Sequence, residues 1–159
     1  MSETTISNQF VTFRVSDEIY GINVSRVREI LEISDITRVP GMPEAVKGVI
    51  NNRGEIIPLL DLKRKFEDAD TAFGEDTAII VTEVDSGDNI RSLGLIVDKA
   101  DEVVTVDESE TDEAAGITGL AIEDFIMGIG RVNGGIIILL NIDSIISGDE
   151  LAAVDDDYQ

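Results

Sequence analysis

The chain carries its own pattern twice. A displacement of 80 positions lays GVINNRGEIIPLLDLKRKF (48–66) on GIGRVNGGIIILLNIDSII (128–146) without a gap. Gly48 falls on Gly128, Gly54 on Gly134, Ile56 on Ile136, Ile57 on Ile137, Leu59 on Leu139 and Leu60 on Leu140. Asp61 falls on Asn141, and both residue types cap helices. A displacement of 73 lays YGINVSRVREIL (20–31) on LGLIVDKADEVV (93–104), pairing Gly21 with Gly94, Val24 with Val97 and Glu29 with Glu102. Two apolar hairpins can match by chance, but two segments agreeing in the same order favour an internal duplication. The expected architecture is therefore two small, similar β-units, about 8–66 and 77–146. Short apolar runs with regular turns suggest barrels rather than a helix-covered parallel sheet.

Local patterns fill in the units. Phe10 to Val15 is β-branched and aromatic, and Ile19 to Ile22 follows a polar break. Asn23 can cap a short helix with Val24, Val27 and Leu31 at helical spacing. Pro40-Gly41-Met42-Pro43 is a rigid connector. Val46 to Asn51, a turn at Asn52-Arg53-Gly54, and Ile56 to Leu60 form a hairpin, after which Asp61 opens a short helix to Phe66. Residues 67–76 read as a loop. In the second unit, strands are expected at Thr77 to Val84, Ser92 to Val97, Val103 to Val106, Met127 to Val132 and Ile136 to Leu140. Asn141 opens a short helix to Ile146, and 107–119 reads as an acidic loop. One domain over 8–147 is expected, with a flexible N-terminus (1–7) and an acidic tail (148–159), in which Asp149 caps a last turn before Asp155-Asp156-Asp157.

Charge narrows the function. The 159 residues hold 33 acids and 12 bases, a net charge of -21, and no Cys or His. Residues 1–66 balance nine acids with nine bases, so the remaining 24 acids and three bases put the whole excess in 67–159. Without Cys or His there is no thiolate or imidazole catalysis and no Cys or His metal site. A strongly acidic chain is repelled by nucleic-acid phosphates and anionic lipid. No apolar run spans a membrane, so a cytoplasmic protein without membrane insertion is expected. Like charges repel less when salt shortens the Debye length, so the acid excess suggests a halophilic source.

Catalytic options are thin. Carboxylate pairs such as Asp98/Asp101 or Asp155/Asp157 can act as acid and base or hold a hard cation, but among 33 acids they read first as solvated surface. No phosphate loop or calcium loop is present. Lys63-Arg64-Lys65 suits a helix C-terminus better than nucleic acid. Glu29 in an apolar segment and Arg53 in a tight turn are expected to pair near the junction between lobes. Gly21, Gly48, Gly94 and Gly128 mark either close backbone approach or strand ends. These features describe a shaped binding surface rather than an active site.

The segments QFVTFRVSDEIYGINVSRVREI (9–30), TRVPGMPEAVKGVINNRGEIIPLLDLKRKF (37–66), GLIVDKADEVV (94–104) and GIGRVNGGIIILLNID (128–143) closely resemble the CheW family of chemotaxis coupling proteins. The likeness covers roughly 8–147. Asn52 departs from it, standing where the family commonly has Leu, as does the acidity of the second part. The resemblance implies a mainly β fold of two five-stranded SH3-like barrel lobes around a shared core, with a few short helices. It also implies a non-catalytic adaptor without cofactors or metal. Such an adaptor links cytoplasmic chemoreceptor tips to the regulatory domain of the histidine kinase CheA in membrane-associated arrays. The receptor groove it implies uses Val27, Glu29, Gly48, Arg53, Gly94, Ala100, Val103 and Gly128, and the kinase contact Glu18, Ile19 and Ile56. The alternatives are the same scaffold in another histidine-kinase circuit, or an acidic carboxylate enzyme or cation-binding protein.

Overall fold

The computed structural model describes residues 8–85, 89–107, 111–113 and 125–146. The N-terminus, the tip of the 85–89 turn, most of 107–119, the Asp149 cap and the acidic tail lie outside the described residues. Eleven strands are described: β1 (Gln9–Val15), β2 (Glu18–Asn23), β3 (Val27–Glu32), β4 (Val46–Asn52), β5 (Glu55–Asp61), β6 (Ala78–Asp85), β7 (Ile90–Val97), β8 (Lys99–Thr105), β9 (Thr111–Glu113), β10 (Ile126–Val132) and β11 (Gly135–Leu140). One α-helix, α1 (Leu62–Glu67), follows β5. The strands form two sheets, ordered β3-β6-β7-β5-β4 and β8-β1-β2-β11-β10-β9. The fold is mainly β, with two lobes as expected. The short β9 adds a sixth strand to one lobe, and among the described residues no strand pairing closes either sheet, an open form of the expected SH3-like lobes.

The two orders are one topology. Under the sequence displacements β2 corresponds to β7, β3 to β8, β4 to β10 and β5 to β11, and the strand orders then place β1 where β6 stands. Each sheet therefore contains the first hairpin of one sequence repeat and the remaining strands of the other. Matching parallel pairs join the pieces, β5 with β7 through Leu59↔Gly94 and β11 with β2 through Leu139↔Gly21. The chain crosses between sheets at 24–26, after β2, and at Asp98, after β7.

Strand alternation sorts the apolar residues into three cores. On β7, Leu93, Leu95 and Val97 face a core shared by both sheets, where they meet Phe13 and Ile22 of the other sheet. Ile96, between them, turns into its own lobe with Ile57, Leu59 and Ile79. Phe10, Val106, Ile137 and Leu139 fill the other lobe. A buried Leu or Ile contributes about 1.5–3 kcal/mol, and the shared core is the largest of the three, so the lobes are held as one body. Stacked rings reinforce it: Phe13–Tyr20 at 5.9 Å, Tyr20–Phe66 at 4.8 Å and Phe66–Phe125 at 5.2 Å carry one column through α1.

Two helix expectations are corrected. Asn23 does cap, its side chain accepting from Ser25 N at 3.0 Å, but only a single 3-10 turn, Val24–Arg26, comes after it. Val27–Glu32 is the strand β3, with Val27, Glu29 and Leu31 half-buried and Arg28, Ile30 and Glu32 exposed. The β-branched Val27 and Ile30 favour strand, and the burial period of two overrides the sparse helical spacing. Asn141 likewise caps a 3-10 turn, Ile142–Ser144, instead of a helix to Ile146. Asp61 caps α1 as expected, and its buried carboxylate also accepts from Thr71 N and Oγ1, which pins the 67–76 loop.

Candidate functional site

Glu29 and Arg53 meet. Arg53 Nη2 lies 2.7 and 2.6 Å from the two Glu29 carboxylate oxygens, and Asn52 Nδ2 donates to Oε2 at 2.8 Å. Glu29 is on β3 and Asn52 ends β4, the two edge strands of the five-stranded sheet. The side chains thus bridge edges that the backbone leaves apart. A second cluster lies beside the first. Arg28 donates to Glu55 Oε1 at 3.0 Å and also to Ser92 Oγ, while the Ser92 hydroxyl donates to Glu55 Oε2 at 2.6 Å. The Ser92 hydroxyl, then Arg28, hold the Glu55 carboxyl below the usual glutamate range. The turn that carries Arg53 needs both central residues in the left-handed region, with φ 54° at Arg53 and 89° at Gly54.

Val27 and Ala100, matched by the displacement of 73, are both half-buried against the shared core. Val27 pairs with Thr82 and Ala100 with Phe13, each beside an irregularity in its strand pairing. They are therefore equivalent side chains at the rim of the core between the lobes. Val103, on the same strand as Ala100, is 54% exposed.

The glycines expected at the groove are internal, so they shape backbone and offer little surface. Gly48 is buried with φ 144°, and a Cβ there would meet Thr37 O at 2.2 Å. Gly94 is buried inside its lobe, against Leu59 and Ile79. Gly128 is buried in β10 opposite Leu139. Glu18 and Ile19 belong to the six-stranded sheet and the exposed Ile56 to the other, so the expected kinase residues do not share one sheet.

Of the carboxylates weighed as catalysts, the two among the described residues each have a structural partner. Asp98 accepts from Ser16 N at 2.7 Å and pairs with Lys63 Nζ at 3.1 Å, and Asp101 pairs with Arg14 at 3.5 Å. Asp155 and Asp157 lie outside the described residues. Within the basic triplet, Arg64 and Lys65 fall in the last turn of α1, and Arg64 pairs with Asp68 and Asp70.

Sequence reasoning missed an interlobe clasp. Arg26, at the first crossing, donates to Glu83 O at 3.2 and 2.9 Å and to Asp143 at 3.0 and 2.5 Å. Asp143 also accepts from Asp85 N at 2.8 Å. The Arg26 hydrogen bond, opposed by burial, holds the Asp143 carboxyl below the usual aspartate range. Arg26 and Asp143 are 117 residues apart, and no local pattern pairs them.

Two lobes sharing one core, with polar clusters at their edges, define an interaction module. Residues 9–150 match the family model for the CheW-like domain. The chain belongs to the CheW family. It is 30% identical to the chemotaxis protein CheW of Klebsiella aerogenes over 95% of this chain and 89% of that one. It is 33% identical to the Bacillus subtilis chemotaxis protein CheW over 71% and 70% of the two chains. Among solved structures, the scaffolding protein TtCheW from Thermoanaerobacter tengcongensis superposes with a TM-score of 0.79 at 30% identity, covering 91% of this chain and 95% of that one.

Proposed function

We propose that this chain is a non-catalytic chemotaxis adaptor that couples chemoreceptor tips to the regulatory domain of the histidine kinase CheA. The supporting observation is the pair of equivalent half-buried side chains, Val27 and Ala100, at the rim of the shared core. A receptor tip is a helical hairpin, and an apolar helix stripe suits a shallow rim of this kind. Exposed Val103 extends the rim along β8, and Glu29, which holds Arg53, is two residues beyond Val27 on β3. Gly48, Gly94 and Gly128 act behind this surface by setting the backbone. Glu18, Ile19 and Ile56 are assigned to kinase contact.

The mechanism is a population shift without bond-making. Receptor state changes which relative geometry of adaptor and kinase is favoured, and kinase activity changes with it. The adaptor works in the cytoplasm at receptor arrays. Among the described residues no helix is long and apolar enough to cross a membrane.

The test is reconstitution of a receptor cytoplasmic fragment and CheA, with and without this chain, with kinase autophosphorylation as the readout. Arg53→Ala should weaken receptor capture and lower receptor-dependent phosphorylation. Receptor capture and kinase activation both unchanged in Arg53→Ala would overturn the groove. No response to the wild-type chain with a competent kinase would overturn the adaptor reading and leave another signalling circuit.

A further inference from the structure

The duplication makes each lobe a reference for the other. In the five-stranded lobe, Arg53 donates to both carboxylate oxygens of Glu29. The matching positions of the six-stranded lobe are Glu102 and Asn133. Their backbones agree. Glu29 follows the irregularity in the β3–β6 pairing, and Glu102 lies within the corresponding one between β8 and β1, hydrogen-bonded through its main chain to the Thr12 hydroxyl. Arg53 has φ 54° and Asn133 φ 52°, each followed by a glycine of positive φ.

The side chains differ. Asn133 carries no charge, and among the described residues no hydrogen bond or ion pair reaches the Glu102 carboxylate. A recess of about 240 Å³ lies between the two, lined also by Val104, Val132, Ile136 and Ile137. Arg14 and Asp101 stand in its wall and neutralise each other at 3.5 Å, so Glu102 is left as its uncompensated charge. Ile136 is 62% exposed beside it.

We infer that this recess accepts an arginine side chain from a partner protein, with the guanidinium on Glu102 and the aliphatic stem against Val132 and Ile136. A guanidinium presents several donors in a fixed fork, and the carboxylate of Glu102 with the amide oxygen of Asn133 offers acceptors to more than one of them. The stem covers apolar surface that water otherwise meets. The duplicate lobe realises the charged half of this arrangement within one chain, where the Arg53 guanidinium sits on the Glu29 carboxylate. Ile19, assigned above to kinase contact, also lines the recess, but the inference rests on Glu102 and Asn133 and uses neither Arg53 nor the core rim, so its failure leaves the adaptor reading standing.

The experiment titrates N-acetyl-arginine amide into the full chain at low ionic strength, read by amide NMR, with N-acetyl-citrulline amide as the neutral isostere. Saturable shifts are expected at Glu102 and at Asn133 to Ile136, absent with citrulline and lost in Glu102→Gln. Asn133→Arg should fill the recess from within, abolish those shifts and raise the melting temperature by about 1–3 °C, as an exposed ion pair does. That gain should vanish in the double variant with Glu102→Gln. Shifts spread over the acidic surface, or shifts that survive Glu102→Gln, would overturn the inference. Self-association of the chain that Glu102→Gln abolishes would assign the recess to a second copy and overturn the separate partner.

Discussion

Gly94 and Leu59 are register partners in the parallel pairing of β7 with β5, and a Cβ added at Gly94 would lie 2.5 Å from Leu59 Cδ2. The site is inside a filled lobe, with Ile79 Cγ2 at 2.9 Å, so the neighbours have little room to withdraw. Gly94→Ala is expected to destabilise by about 1–3 kcal/mol. The duplicate position is looser, with Ile137 Cγ2 at 3.1 Å from a Cβ at Gly21. Urea unfolding should therefore rank Gly94→Ala below Gly21→Ala in stability, and the reverse order would contradict the packing described.

Glu29→Gln separates stability from recognition. Arg53 is 74% exposed, and exposed ion pairs contribute about 0.2–1 kcal/mol. The unfolding midpoint should move little, while receptor capture falls as in Arg53→Ala. Loss of more than about 2 kcal/mol would make Glu29 a structural residue instead.

Tyr20 should titrate late. Burial foremost, then Glu18 and Glu67, push its phenol from 10.0 up to about 12. The folded state favours the neutral phenol, so its contribution to stability is full below pH 10.0 and is lost as pH rises toward about 12. Absorbance at about 295 nm should show a high-pH phenolate step that Tyr20→Phe removes.

The Arg26–Asp143 clasp has an acid limb. The folded Asp143 carboxyl titrates below 3.8, so its contribution is full above that value and is lost as pH falls through the folded one. Asp143→Asn should destabilise by about 1 kcal/mol near neutral pH, discounted because both partners are about a third exposed. The difference from wild type, measured by denaturant unfolding, should shrink as pH falls below 3.8. An undiminished difference there would remove the ion pair as its cause.

The strands are legible wherever one face is buried, because alternation then shows in the residues. Leu93 to Val97 and Ile56 to Leu60 are read from their apolar runs, and Arg53-Gly54 from its turn chemistry. Glu29 and Arg53 stand out as charges in apolar surroundings. Asn23 and Asn141 read as opening helices because a cap signals only where a turn begins, while the length of that turn is set by the residues beyond it and by their burial. Asn52 reads as a departure from a family pattern, yet it donates to Glu29. Arg26 and Asp143 carry no local signal, since their meeting requires both crossings between sheets. The repeats are visible in the sequence, but not that they trade hairpins, because hydrophobic pattern records which face is buried and not which strand lies beside it.

That trade has a consequence for any attempt to divide the molecule. A chain cut in the connection between α1 and β6 gives two fragments. The first holds three strands of one sheet and only a hairpin of the other, and the second holds the complement. Neither fragment owns a finished lobe. The pieces can regain native form only by clasping one another, as two subunits would.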